Sequence, residues 1–466
     1  MLHTHVAGAI HADAIAESPK WLVRPDDANA LDPSIWPGSA DRGPDGALVV
    51  AGHSSADLAR DFGTPLYVVD ESEFRARARA FAEAFPDWQI FYAGKAFLSR
   101  GVARWVDEEG LGLDVCSGNE LAVALQAGFP VARIGFHGNN KSMDELRLGV
   151  SKGVGRIIVD SLDEIERIER LAEEFGTTVR VLVRVTTGVE AHTHDFIATA
   201  HEDGKFGFSI LGGQALMALV RCATSPWVTL AGVHSHIGSQ IFETDAFEVA
   251  ANRTMRVMAQ FREATGTTLK ELNLGGGFGI AYTAADHPAS LATLASGFAQ
   301  IVGQVRRAYD FPQLRLSLEP GRAIVGPASL QLYEVGTVKV VELDGGAQRV
   351  YVSVDGGMSD NVRPALYAAE YSAVLANRAS AEPTVLCRIV GKHCESGDIV
   401  VRDVFLPSDV APGDLVAIPG ALAYARSMAS NYNHLTKPPV VAVTPGRAHL
   451  LLRRETLEDL LALDVG

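Results

Sequence analysis

Residues 89–136 read QIFYAGKAFLSRGVARWVDEEGLGLDVCSGNELAVALQAGFPVARIGF, and three short apolar runs stand out in them: QIFYA at 89–93, LGLDV at 111–115 and RIGF at 133–136. Each is short and bounded by turn residues, as expected of a strand covered on both faces. Between them the spacing is helical, and the segment from Glu120 closes on Gly128, a residue that commonly ends a helix. The rhythm continues outward with RIIV at 156–159, VRVLVRV at 179–185, VTLAGVHSH at 228–236, ELNL at 271–274 and LRLSLE at 314–319, and Ser161 stands where a helix N-cap belongs. Eight strands alternating with helices predict a (β/α)8 barrel over residues 89–330. A doubly wound open sheet is the alternative, weakened because no G-x-G-x-x-G follows the first strands.

After about residue 330 the pattern changes to short β-rich runs separated by turn residues, such as LYEVGTVKVVEL, TVLCRIVGK and GDIVVRDVF. The expected fold class is therefore α/β, a barrel followed by a C-terminal all-β domain over 331–466. The segment 48–88 is expected to join that domain or the junction, and residues 1–47, without periodicity, read as a loosely structured extension. The whole chain has 466 residues, of which 47% are hydrophobic and 21% charged, so it can bury large cores and is no disordered protein. Its formal charge of −15 repels a phosphate backbone and argues against a nucleic-acid partner. No apolar stretch is long enough for a membrane span and no basic, then apolar, leader is seen, so the expected address is cytoplasmic. Cys116, Cys222, Cys387 and Cys394 lack C-x-x-C spacing, which argues against disulfides and zinc knuckles.

Catalytic groups of such a barrel sit past the C-terminal ends of the strands. Those positions hold Lys95, Asp114, His137, Asp160, His234 and His236, Gly275-Gly276-Gly277, and Glu319 with Arg322. Taken singly, each has an ordinary explanation: a solvated lysine, a tight glycine turn, a surface ion pair. Taken together, an amine, an anion cradle, a carboxylate to hold a protonated ring nitrogen and an arginine for further anionic contacts describe a pyridoxal 5'-phosphate site. His234-Ser-His236 also fits the paired ligands of a metal-dependent hydrolase, but that site wants further His and Asp ligands at later strand ends, where glycines and a Glu stand. No metal is expected.

The stretches YAGKAF, GLDVCSGNELAVAL, HGNNKS, GVEAHTHDFIATAHEDGKFGF, HSHIGSQIF, NLGGGFGI, EPGRAIVG, VDGGMSDNVRPALYAAEY, VGKHCESGD and SMASNYN resemble the diaminopimelate decarboxylase family and, more widely, the fold-type III pyridoxal phosphate enzymes. The resemblance runs from about residue 48 to the C-terminus, and HCESGD and MSDNVRPALY separate it from racemases of the same architecture. It implies decarboxylation of meso-2,6-diaminopimelate to L-lysine and CO2, the last step of lysine biosynthesis. It also implies roles: Lys95 carries the cofactor covalently, His236 stacks on its ring, Ser239 and Gly275 to Gly277 bind its phosphate, and Glu319 pairs with the ring nitrogen. Arg322, Arg363 and Tyr367 match contacts to the substrate's distal carboxylate, Glu395 the contact to its distal amine, and Cys394 the proton donor. Tyr424 matches a tyrosine near cofactor and substrate. A homodimer with shared active sites is implied in the same way.

One departure is local. The family usually reads Gly-Ala-Tyr where this chain reads Leu422-Ala423-Tyr424, placing bulk where only a hydrogen was. Substrate choice or turnover is what this change could alter. Decarboxylases of ornithine, lysine or arginine would share the cofactor residues but have no need of Arg363, and a non-catalytic regulatory homologue would normally lack Lys95 or Cys394.

Overall fold

The structure, a computed structural model, describes residues 18–189, 204–343 and 348–466, so positions 190–203 of the motif GVEAHTHDFIATAHEDGKFGF lie outside the described residues. The chain divides into two compact units, one of Arg75–Gly279 with Pro288–Ile324, the other of the residues up to Phe74, Ile280–His287 and Val325–Gly466.

In the first unit the eight apolar runs are strands β1 Trp88–Ala93, β2 Gly112–Val115, β3 Ile134–Phe136, β4 Arg156–Val159, β5 Val179–Thr186, β6 Val228–His234, β7 Glu271–Asn273 and β8 Arg315–Leu318. Every neighbouring pair is parallel, and β8 returns to β1 with Leu316 opposite Trp88, so the ring closes and the open sheet is excluded. Closure demands close approach: a Cβ on Gly112 would lie 2.4 Å from the Phe91 ring. Five of the intervening helices start on serines, since Ser99, Ser117, Ser142, Ser161 and Ser290 each accept a backbone N–H from the first turn, a contact that contributes about 1 kcal/mol per helix. Helix Leu162–Phe175 then buries Ile165, Ile168, Leu171 and Ala172 on one face, and Gly176 at φ +61° ends it.

A buried ion pair braces the loop after β3. Lys141 donates to Glu164 at 2.5 Å and to the carbonyls of Gly138 and Ile158, with both side chains almost fully enclosed. Lys141→Met leaves the Glu164 carboxylate buried and unpaired and is expected to lower unfolding free energy by about 3–5 kcal/mol. Urea melts of the two proteins measure it; an unchanged midpoint would show that Glu164 takes up a proton or another partner at little cost.

The second unit centres on the strand Ser329–Glu342. Its first half pairs antiparallel with Leu66–Asp70 and Leu415–Pro419, and its second half with Gln348–Val354. Leu66–Asp70 also pairs in parallel with Val440–Thr444, so the segment before the barrel supplies an inner strand of this sheet. The described part of residues 1–47 departs from a loose extension. Ala40–Arg42 pairs with Leu48–Val50, and Ile35 and Trp36, each 4% exposed, enter the core beside Leu66, Val68, Leu330 and Leu332. This adjacent pair, with hydrogen bonds from Asn29 and Arg42 to the carbonyls of Ser380 and Leu375, holds the segment down, and a single apolar pair leaves no periodicity to read.

Candidate active site

At the C-terminal end of the barrel four strand ends converge on one carboxylate. Glu319, just past β8, accepts from Asn273 Nδ2 at 2.6 Å and lies 3.1 Å from His234 Nε2 and 3.3 Å from His137 Nε2. His137 Nε2 also reaches Asp114 at 3.3 Å, and the two imidazoles meet edge to face with centroids 5.0 Å apart. All five side chains are buried. Burial alone would raise the Glu319 pKa, but His234 and His137 outweigh it and hold the carboxyl well below its ordinary range. Burial and the Glu319 charge together push Asp114 up to about 6. Burial pulls His234 down to about 4, whereas for His137 the charges of Glu319 and Asp114 outweigh burial and lift it to about 9. The barrel floor is thus built to keep Glu319 ionised beside one protonated histidine.

The shift on His137 has a consequence for stability. Its folded pKa lies above the ordinary 6.5, so its contribution is fully present below about pH 6.5 and is lost as pH rises through about 9. The difference in denaturant midpoint between the protein and His137→Gln should therefore shrink between pH 6.5 and 9.5. A constant difference would mean that His137 does not titrate in that window.

Lys95 lies in the single turn Gly94–Ala96 that follows β1, with its side chain exposed and within electrostatic reach of Cys116, Glu120 and His236. His236 accepts the Gly276 amide at Nδ1 (3.2 Å), and burial, then Lys95, holds its pKa well below 6.5. The two histidines of His234-Ser-His236 therefore part, one to Glu319 and one to the glycine turn. The ligand atoms of His137, His234 and Glu319 lie within 4.8 Å of one another, and His236 is not of that group.

Gly275 and Gly277 have φ of +73° and +109°, and a Cβ on Gly275, Gly276 or Gly277 would stand 2.5, 2.1 or 2.6 Å from the carbonyl oxygens of Ser235, Glu319 and Gly238. Only glycines let these three backbones meet. Arg322, 5% exposed, donates to Ser239 Oγ at 2.9 Å beside this turn. An exposed amine, a glycine cradle with a hydroxyl and a buried guanidinium, and an ionised carboxylate on the floor form a donor set that fits pyridoxal phosphate.

The other expected residues fall in the second unit. Arg363 opens the short helix Arg363–Tyr367 and is 5% exposed; its guanidinium donates to the Tyr371 hydroxyl and lies over the rings of Tyr282 and Tyr371 at 4.8 and 5.5 Å. No carboxylate among the described residues pairs with it. Burial disfavours its charge, but the surrounding tyrosines, Tyr424 included, outweigh burial and raise its pKa. Tyr367 reaches Met428 Sδ at 3.8 Å.

Cys394 is exposed in the loop between Thr384–Val390 and Ile399–Pro407, and Glu395 accepts from the Tyr432 hydroxyl at 2.7 Å. Asp398 ties this loop down by accepting the His393 and Met358 amides at 2.8 and 2.6 Å. Leu422 is fully buried, and Tyr424 takes the strained φ of +66°.

Asn273 and Asp398 were absent from the sequence expectations, as were roles for Asp114 and His137. Asn273 is the last residue of a barrel strand, a position that could have disclosed it; Asp398 carries no such signal.

Residues 71–326 match the family model described as "Pyridoxal-dependent decarboxylase, pyridoxal binding domain". The chain is 52% identical over 440 residues to the diaminopimelate decarboxylase of Mycobacterium tuberculosis, covering 93% of this chain and 98% of that protein. It is 49% identical over 471 residues to the diaminopimelate decarboxylase of Mycobacterium leprae, covering 100% of both. Among solved structures, the diaminopimelate decarboxylase from M. jannaschii in co-complex with L-lysine superposes with a TM-score of 0.84 at 32% identity, covering 92% of this chain and 98% of that one.

Proposed function

The chain belongs to the diaminopimelate decarboxylases, pyridoxal-dependent enzymes, and from that premise we infer that it is a carboxy-lyase converting meso-2,6-diaminopimelate into L-lysine and CO2, the last step of lysine biosynthesis. Full-length similarity to enzymes of that name carries the reading. Purified protein offered meso-, LL- and DD-diaminopimelate, ornithine and lysine should release CO2 from the meso isomer. Preferential release from ornithine or lysine would overturn it.

Pyridoxal phosphate, when bound, takes up the electron pair left behind as the carboxyl group departs. The residues divide the remaining work. Lys95 would hold the cofactor. Glu319, kept ionised by His234, His137 and Asn273, pairs with the ring nitrogen and keeps it protonated. His236 stacks on the ring, and Ser239, Gly275 to Gly277 and Arg322 hold the phosphate end. Arg363 and Tyr367, with Arg322, bind the distal carboxylate, Glu395 the distal amine, and Tyr424 lines the pocket. Cys394 delivers a proton to the carbon that has lost its carboxyl group.

The reading of Arg363 rests on a buried guanidinium that tyrosines, and no carboxylate, surround. Arg363→Ala removes the bidentate partner of a buried carboxylate, a loss of about 3–5 kcal/mol, so KM for diaminopimelate should rise by roughly 10² or more while cofactor affinity stays put. An unchanged KM would place the distal carboxylate elsewhere.

We further read the enzyme as cytoplasmic and as a homodimer in which Cys394 of each protomer serves its partner's Lys95. Mixing inactive Lys95→Ala and Cys394→Ala proteins should then restore about a quarter of wild-type activity, because each hybrid dimer keeps one intact site. No restoration on mixing under conditions that exchange subunits would rule out shared sites.

A further inference from the structure

The opposite, N-terminal mouth of the barrel holds a second set of charges that decarboxylation does not use. There the strand starts enclose a cavity of about 340 Å3 lined in part by Arg133, Arg156, Arg180, Arg315, Gln89 and Glu271. Arg315 lies four residues before Glu319, so the cavity is ~13 Å from the Glu319 carboxylate at the rise of a parallel strand.

Arg133 is matched by Asp107. The remaining charges do not balance. Arg180 and Arg315 both bind Oε1 of Glu271, and Arg156 Nη1 stands 4.0 Å from Oε2, so three guanidinium groups share one carboxylate. Arg156 is 6% exposed, bonds Gln89 Oε1 at 2.9 Å and lies 4.0 Å over the Phe91 ring. Arg180 Nε and Glu271 Oε2 are buried without a hydrogen-bond partner. The arginines overcome burial and keep the Glu271 pKa low, and Arg156 also feels the charges of Asp114 and, less, Glu319, whereas the side chains of Arg180 and Arg315 have Glu271 as their one carboxylate partner among the described residues.

Guanidinium groups that share a carboxylate in a half-enclosed space attract a further anion, and their planar forks suit phosphate. A phosphate offers an oxygen to each of several forks at once, which a single carboxylate does not. The cavity exceeds the size of a phosphate ion, and Trp88, Ile90, Phe91 and Leu111 give it apolar wall. We propose that the N-terminal mouth of the barrel is a binding site for a phosphate dianion, free or as the head of a small phosphate monoester.

The test is calorimetric titration of the holoenzyme, in phosphate-free buffer, with inorganic phosphate and separately with phenyl phosphate. Binding of either is expected, with phenyl phosphate the tighter if the physiological ligand is a monoester and inorganic phosphate equal or tighter if it is the free ion. Arg180→Gln and Arg315→Gln, both at partly exposed side chains, should each weaken binding about tenfold or more, the scale of one charge-assisted hydrogen bond. Glu271→Gln should strengthen it. No heat with either probe would overturn the site, as would affinities that the arginine variants leave unchanged or that Glu271→Gln lowers. In those cases the arginines serve only to knit the bottom of the barrel.

Discussion

Lys95→Ala should purify without a covalently held cofactor and lose activity by on the order of 10⁴ to 10⁶, the scale on which removal of a covalent group acts. The reason is positional. Lys95 lies in the turn immediately after β1, its amine is exposed at the C-terminal end of the barrel, and its charge is felt by Cys116, Glu120 and His236. Lys141, also after a barrel strand, is committed to Glu164 and two carbonyls and has no reach to spare. Borohydride treatment of the wild-type holoenzyme followed by peptide mass analysis should place the pyridoxyl group on Lys95 alone. An adduct on any other lysine sinks the assignment, as does a pyridoxyl group that borohydride fixes to the Lys95→Ala protein.

The barrel was legible because its strands are covered on both faces, so most runs from QIFYA to LRLSLE are short, rich in apolar residues and bounded by turn residues, and need no partner to be recognised. Where the reading overran, tertiary geometry explains it. The run 228–236 stops as a strand at His234, because the chain after it turns so that His236 meets the backbone of Gly275 and Gly276. Ile35 and Trp36 were illegible for the opposite reason: they form a single apolar pair among polar and turn residues, and only the sheet they pack against gives them meaning.

The same contrast runs through the site. Lys95 and Glu319 could be found by their place at strand ends. The task of Asp114 and His137 could not, since it consists in the charge that His137 lends to Glu319 and that Asp114 lends to His137 across the barrel. Asp398 is more distant still. It is one of two acidic residues in HCESGD until Gly357 and Gly391 are seen to sit where a Cβ would lie 2.6 and 2.2 Å from its carboxylate. Leu422 is settled in part: its side chain is taken wholly into the interior and its φ is not left-handed, so the strain of this turn falls on Tyr424. Leu422→Gly, which would restore the family's usual residue, would empty a fully buried site and so lower stability as well as loosen the turn that holds Tyr424.

Cys394→Ala should lower kcat by something like 10² to 10⁴, the range for losing one positioned acid, while the cofactor's absorbance and the oligomeric state stay as they are. Of the four cysteines, Cys222 and Cys387 are buried, and burial pushes both thiols up to about 12, as inert core residues require. Cys394, like Cys116, is not buried. It is exposed, and its loop is pinned rather than loose: Asp398 clamps the His393 and Met358 amides, His393 bonds Asn433 at 2.9 Å, and the His393 ring stacks on Tyr432 at 5.1 Å. A thiol held out to solvent on a braced loop is placed to meet something beyond its own strand. Cys394→Ser separates chemistry from shape, because a hydroxyl keeps the volume but gives up its proton far less readily than a thiol. It should therefore fall close to the alanine variant. If both variants retain wild-type kcat, water or another side chain supplies the proton and Cys394 is a bystander. If both lose the cofactor band instead, the loop shapes the site and the thiol has no separate part in the reaction.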